Sequence, residues 1–271
     1  MYRRRAEDRP YHAGVRLIPS ASARIACVLF VLLVLCQLIY PQSPAGWSVQ
    51  LTALTVFLFL GASMAAAWSR SGPRFALSLA GLAFLIGLAS EILGVHTGFP
   101  FSTYSYTAAL QPQLFDVPIL IPLAWAMMAY PAWRIGELLG NRPLTRALFA
   151  AGALTAWDVA LDPQMVGQGF WVWPDLGIYH GIPLINFVGW FTVGAVLFGW
   201  WALSARPAGQ PSRWKLIDLL GPLLYAWTWI GETVAHVLFF AGWTVAIASF
   251  IAMGVLTVPA LLRQWTGSAT A

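Results

Sequence analysis

The sequence is dominated by apolar runs on the scale needed to cross the hydrocarbon core of a bilayer, which takes about 20 helical residues. Eight follow one another, at about 22–40, 47–68, 75–93, 117–133, 146–161, 184–203, 216–240 and 242–262. Only 9% of the residues are charged and 59% are hydrophobic, whereas an average soluble domain carries roughly 25% charged residues. Disordered, collagen-like and nucleic-acid-binding chains are excluded together. The expected fold class is an all-α polytopic membrane helix bundle of about eight transmembrane helices with both termini cytoplasmic. One transmembrane domain is expected over 22–263, between a basic tail at 1–21 and a short tail at 264–271, in the cell inner (plasma) membrane. The first run follows Arg3, Arg4 and Arg5 but is too long for the core of a signal peptide, so it is read as a span. Cys27 and Cys36 lie within it on opposite sides of a helix and imply no disulfide.

Orientation follows from the basic residues alone. With the N-terminus inside, the inner segments hold six basic residues up to Arg24, then Arg70 and Arg74, then Arg134, Arg142 and Arg146, then Arg206, Arg213 and Lys215, and finally Arg263. These are all 15. The outer connections, about 41–46, 94–116, 162–183 and a turn near Gly242, have none. The net charge of +5 is thus a topology signal rather than a polyanion site.

The two long outer connections are aromatic and rich in turn formers: Gly98-Phe-Pro-Phe-Ser-Thr-Tyr-Ser-Tyr-Thr107 and Gly169-Phe-Trp-Val-Trp-Pro174. Such segments lie at the interface or fold back as a lid. Each leads into a similar helix start, Val117-Pro-Ile-Leu-x-x-Leu-Ala-Trp125 and Ile182-Pro-Leu-Ile-x-x-Val-Gly-Trp190. The likeness hints that spans three and four duplicate spans five and six.

Ionisable groups inside spans cost about 2.5–3.5 kcal/mol each on insertion scales and need a reason. Glu91 ends span three, Asp158 and Asp162 lie one turn apart at the end of span five, and Glu232 and His236 lie one turn apart in span seven. All fall in the outer half, beneath the aromatic loops, which points to one polar pocket under a lid. Pro163 is expected to end its helix at Asp162, leaving Asp162 as a cap or loop organiser. Glu232 and His236 share a helix face and suit either proton transfer or the pinning of two helices. A metal site built with Asp158 or His96 would lack the second histidine usual on such a helix, and no metal is expected. His96 and His180 read as interfacial hydrogen-bonding groups, Asn186 as a partner for Asp158, a water or a helix contact, and Asp218 as a partner for Lys215. Trp125, Trp157, Trp190 and Trp229 stand near the acids. No phosphate loop, dinucleotide fingerprint, nucleophile elbow or CxxC pair occurs.

At Gly98-Phe-Pro-Phe-x-x-Tyr-x-Tyr-Thr, Val117-Pro-x-x-Ile-Pro-Leu-Ala-Trp-x-Met-Met-x-Tyr-Pro-Ala132, Ala156-Trp-Asp-x-x-Leu-Asp-Pro-Gln-Met-Val166 and Gly181-Ile-Pro-Leu-x-Asn-Phe-x-Gly-Trp190, the chain resembles the carotenoid 1',2'-hydratases, which include the bisanhydrobacterioruberin hydratases. The resemblance covers roughly 90–200. It implies an integral membrane enzyme, a hydro-lyase of carotenoid biosynthesis that adds water across the terminal 1',2' double bond of an acyclic carotenoid. The implied partners are a lipophilic carotenoid and water within the lipid bilayer, with association with other carotenoid-pathway membrane enzymes and no nucleic acid. No cofactor is expected. Hydration needs a proton for carbon 2', a tolerated tertiary cation at carbon 1' and a positioned water. A neutral carboxylic acid in an apolar surround suits the first task. The expected catalytic residues are Asp158 as general acid and Glu232 with His236 as base, with Glu91 and Asp162 alongside. Trp125, Trp157, Trp190, Tyr104, Tyr106 and Asn186 are expected to bind substrate, the tryptophan faces stabilising the cation. Rival readings are an intramembrane cyclase or isomerase acting on such lipids, and a proton-coupled lipid transporter or flippase. Transport is disfavoured because the intramembrane charges are expected to gather at one end.

Overall fold

The computed structural model describes residues 20–44, 46–204, 216–240 and 242–266. The basic tail up to Arg16 and the inner residues Arg206, Arg213 and Lys215 lie outside them. Eight long helices run through the described residues: α1 (Ala21–Ile39), α2 (Ser48–Ser71), α3 (Pro73–Thr97), α4 (Leu120–Leu139), α5 (Pro143–Gly167), α6 (Leu184–Ser204), α7 (Leu216–Leu238) and α8 (Trp243–Thr266). Four two-residue strands lie in the outer connections: β1 (Ser105–Tyr106), β2 (Gln113–Leu114), β3 (Val117–Pro118) and β4 (Trp171–Val172). Helices α1, α2, α3, α5, α6 and α8 are long and apolar enough to span a membrane by composition. α4 carries Arg134 and Glu137 but is buried along most of its length, so neighbouring helices rather than lipid meet its charges. The chain is a multi-pass membrane protein.

Local signals set the helix ends. The Ser20 hydroxyl accepts from the Ala23 N–H at 3.2 Å and caps α1. Pro73 and Pro143 open α3 and α5, where a missing N–H costs nothing. Gly98, at φ 76°, closes α3 in the left-handed conformation that a side chain would strain. α4 and α5 form the centre, with α2, α3, α6, α7 and α8 around them and α1 outermost on α2. Leu32, Phe57, Leu85, Val188, Ile247 and Val255 point outward, as a lipid-facing belt requires.

Three expectations change. The fourth and fifth helices are longer than their apolar runs, reaching Leu139 and Gly167. Pro163 does not stop α5. The carbonyl it frees, that of Val159, accepts the Tyr179 hydroxyl at 2.9 Å, and the next carbonyl, Ala160, is 2.8 Å from His236 Nε2. Proline is tolerated inside a membrane helix where such partners exist. Pro222 repeats the device in α7, where the freed Asp218 carbonyl accepts from Arg134 Nη2 at 3.1 Å.

Buried charge also gathers at both ends of the bundle. At the inner end Arg70 Nε donates to Asp218 Oδ1 at 2.9 Å, and Glu137 lies against both Arg70, at 3.1 Å, and Arg134, at 2.5 Å. Asp218 therefore pairs with Arg70, its expected partner Lys215 lying outside the described residues. The pairing ties α2, α4 and α7 together at the arginine-rich side. Arg263 does the same for α8, donating to the Leu139 carbonyl at 2.6 Å.

Candidate active site

The lid comes first because it positions everything below it. β1 pairs antiparallel with β4, setting Tyr106 opposite Trp171 and Ser105 opposite Val172, so the two outer connections are bonded to each other. In extended backbone alternate side chains share a face. Tyr104 and Tyr106 accordingly point together, as do Trp171 and Trp173, and each pair closes on one acid. Tyr104 and Tyr106 donate to Glu91 Oε2 at 2.5 and 2.7 Å, while Trp125 Nε1 donates to Oε1 at 3.1 Å. Trp171 and Trp173 donate from Nε1 to Asp162 Oδ1 at 2.7 and 3.1 Å. The remaining Asp162 oxygen takes Asn186 Nδ2 at 2.9 Å, and the same amide group donates to Asp158 Oδ2 at 2.8 Å.

These groups surround one cavity of about 40 Å³, lined by Glu91, Asp158, Asp162 and Asn186 with a wall of Phe101, Tyr104, Tyr106, Ile121, Ala124, Trp125, Leu161, Trp171, Trp173 and Trp190. A water needs roughly 10–15 Å³ of such space. Glu91, Asp158, Asp162 and Asn186 are 3%, 1%, 2% and 2% exposed. At 1.5 Å per residue from the outer ends of α3 and α5, Glu91 and Asp162 lie about 8–9 Å deep and Asp158 about 14 Å. The acids differ in their partners. Glu91 and Asp162 each receive three hydrogen bonds, and Asp158 receives one, from Asn186. Burial, and Glu91 beside them, push the Tyr104 and Tyr106 hydroxyls far above the ordinary tyrosine range, so both remain neutral donors. Trp125 and Trp190 stack with ring centroids 4.3 Å apart and planes at 11°.

The structure brings Glu91, Asp158, Asp162, Asn186, Trp125, Trp190, Tyr104 and Tyr106 into this cavity and leaves three expected residues out of it. Trp157 stands behind the wall, edge-on to Trp190 at 6.1 Å. Glu232 and His236 do share a face of α7, but that face does not line the cavity. His236 braces the proline-containing turn of α5 through Ala160, and its ring packs against Phe240. Their helical spacing fixed their relation to each other and left open which neighbour they face. Trp229 turns to α8, donating to the Phe250 carbonyl at 2.9 Å. His96 sits 3.7 Å from Asp116 on the exposed surface, and His180 contacts Thr244 at 3.0 Å. Trp171, Trp173 and Phe101 belong to the site and were expected only as lid. The alternation Trp171-Val-Trp173 was the available signal for the first two.

The chain matches the family model described as carotenoid biosynthesis protein over residues 51–259, well over half its length. It belongs to the carotenoid biosynthesis protein family. Bisanhydrobacterioruberin hydratase from Haloarcula japonica is 29% identical over 194 residues, covering 68% of this chain and 63% of that protein. The chain thus matches less than two thirds of that relative's length. No solved structure matches.

The matched span contains every residue of the cavity and both layers of the lid. Positions matched between the two similar outer segments meet in the fold. Trp125 and Trp190 hold the same place in the two helix starts, and they stack on each other. Tyr106 and Trp171, separated by the same number of residues, face each other across β1 and β4. Glu91 and Asp162 correspond as well, each two turns before a left-handed glycine, Gly98 and Gly169. Asp158 and Asn186 have no such counterparts, since Gly87 and Ile121 occupy their places. A Cβ on Gly87 would lie 2.7 Å from Trp125 Cγ, so the wall fills the space that a second Asp158 would need.

Proposed function

We propose that this chain adds water across the terminal 1',2' double bond of an acyclic carotenoid, with Asp158 as general acid. The observation that carries the reading is the shared cavity: three buried carboxyl groups, an aromatic wall and space for water, within helix length of the lipid interface. Asp158, with a single hydrogen-bond partner, delivers its proton to carbon 2'. The cation at carbon 1' forms beside the tryptophan wall, where each aromatic face contributes roughly 1–2 kcal/mol in a dry site. A water held by Glu91 and Asp162 attacks that cation and yields its proton to Asp162. One turn of helix and the Asn186 amide separate Asp162 from Asp158, and return of the proton restores the acid. The sum is one water added, one C=C bond lost, one C–H and one C–O bond gained, with no oxidant or reductant. Glu232 and His236 lie outside the cavity and do not act as base in this scheme; His236 supports α5 through the Ala160 carbonyl.

The family and the hydratase relative support carotenoid chemistry, and the membrane setting gives a lipid-soluble polyene and water a common meeting depth. The inner membrane is the proposed location. The test is expression in a host that makes lycopene, with mass analysis of the pigment. A gain of one water per reacted end supports hydration. An isomeric product would replace it with cyclisation or isomerisation, and unchanged pigment would remove the enzyme reading.

A further inference from the structure

The acid cavity is too small for the reaction assigned to it. Its 40 Å³ admit water, but even a benzene-sized hydrocarbon occupies a cavity of about 150 Å³. A second space of about 410 Å³ lies immediately beside it, lined by Phe99, Pro100, Ser102, Ile185, Val188 and Gly189 among others. The wall between the two is one residue thick. Pro100 and Ser102 face the groove while Phe101 faces the cavity, and Ile185 and Gly189 face the groove while Asn186 and Trp190 face the cavity. α6 packs heavily on α5 and only lightly on α3, so the groove opens along the α3–α6 seam. Phe99, Ile185 and Val188, which flank it, are 65%, 52% and 57% exposed in the zone that meets lipid.

Phe101 is the partition between the two spaces. Its ring is wedged between Gly94 and Gly189, where added Cβ atoms would each come within 2.8 Å of it, and it touches Trp190 and Tyr104 edgewise or tilted at 6.4 and 6.2 Å. None of these neighbours bonds it. The next residue, Ser102, holds φ 96°, a conformation that non-glycine residues adopt only when their surroundings impose it.

Resting on the hydratase reading, we infer that the groove seats the polyene of an acyclic carotenoid arriving sideways from the membrane, and that Phe101 swings aside to admit its terminal double bond to the acids. The groove lacks charged side chains: Phe99, Pro100, Ile185 and Val188 give it an apolar surface, and of the hydroxyls beside them Thr97 and Thr192 are already bonded to carbonyls of their own helices, which suits an uncharged polyene and nothing ionic. The pseudo-equivalent surface on α4 is not open in the same way, since Leu120 and Met127 are buried there. One groove therefore serves one cavity.

The experiment uses the full chain in detergent with lycopene as the probe, following retained pigment by visible absorbance and turnover by product mass. Val188→Trp fills the groove, Val196→Trp places the same bulk two turns further along the lipid-facing side of α6, and Asp158→Asn removes the acid. The expected result is at least a tenfold loss of both bound pigment and turnover for Val188→Trp, parent behaviour for Val196→Trp, and retained pigment without turnover for Asp158→Asn. Parent-level pigment and turnover in Val188→Trp would overturn the groove. Turnover by Asp158→Asn would overturn the acid assignment while leaving the groove standing. Should Val188→Trp fail to fold, Val188→Cys in the Asp158→Asn background answers the same question: lycopene should slow its alkylation by a membrane-permeant maleimide at least fivefold over the Cys27 and Cys36 background. Equal rates with and without lycopene, or equal protection by a phospholipid alone, would refute the assignment.

Discussion

Replacing Asn186 by leucine keeps the side-chain size and removes the one amide that bridges two acids. The bridge consists of hydrogen bonds at 2.8 Å to Asp158 and 2.9 Å to Asp162, all three residues being buried. A hydrogen bond to the ionised Asp162 contributes about 1.5–3 kcal/mol and one to the protonated Asp158 about 0.5–1.5 kcal/mol, so the pair holds roughly 2–4.5 kcal/mol, divided between stability and alignment of the acids. If about 3 kcal/mol of that is expressed in the transition state, turnover falls about a hundredfold, since 1.36 kcal/mol is tenfold in rate. The assay is initial product formation in membranes, with the melting of purified protein followed by tryptophan fluorescence. A double-mutant cycle with Asp158→Ala isolates the bridge: in that background the further change to leucine should cost at least 1 kcal/mol less stability than in the parent. Parent rates and an unchanged melting temperature for Asn186→Leu would refute the bridge, and full additivity with Asp158→Ala would show that the two side chains are energetically independent.

Tyr104→Phe removes the shorter of the two hydroxyl contacts to Glu91 and should cost about 1–3 kcal/mol in thermal unfolding; no change would detach Glu91 from the lid. The raised Tyr104 and Tyr106 values mean that the folded state holds these protons above the unfolded value near 10. Their contribution to stability is therefore whole below about pH 10 and is lost as pH rises beyond it toward the folded values, so a melting series from pH 8 to 11 should fall only at its alkaline end and less steeply in Tyr106→Phe. Gly87→Val drives a side chain into Trp125, and overpacking of about 1–3 kcal/mol should lower the melting temperature and disturb the near-ultraviolet signal of the Trp125–Trp190 stack. Arg70→Leu strips Asp218 of its buried partner at 2.9 Å and should destabilise by about 3–5 kcal/mol, with most of the loss relieved by adding Asp218→Asn.

The eight helices were readable because apolar length is a property of single segments. Helix ends at proline were not. The rule that proline stops a helix assumes that the freed carbonyl has no partner, and Tyr179 and Arg134, distant in sequence, provide one for Val159 and Asp218. Three of the acids were legible as costly groups at a common depth. Glu232 and His236 carried the same signal, but the rotation of α7 about its own axis is set by packing that no local spacing reveals. The correspondence of Glu91 with Asp162 was hidden because the first outer connection is longer than the second, so the offset that aligns Trp125 with Trp190 does not align the acids. The buried inner cluster escaped notice because Arg70, Arg134 and Asp218 sit where the topology rule already expects charge.

The most direct test of the central claim is the pigment made by Asp158→Asn beside the parent in a lycopene-producing host, with the amount and melting of the folded protein measured in parallel. The parent should yield carotenoid heavier by one water, and the folded variant should yield only unhydrated pigment. Hydrated carotenoid at parent level from Asp158→Asn would contradict the account.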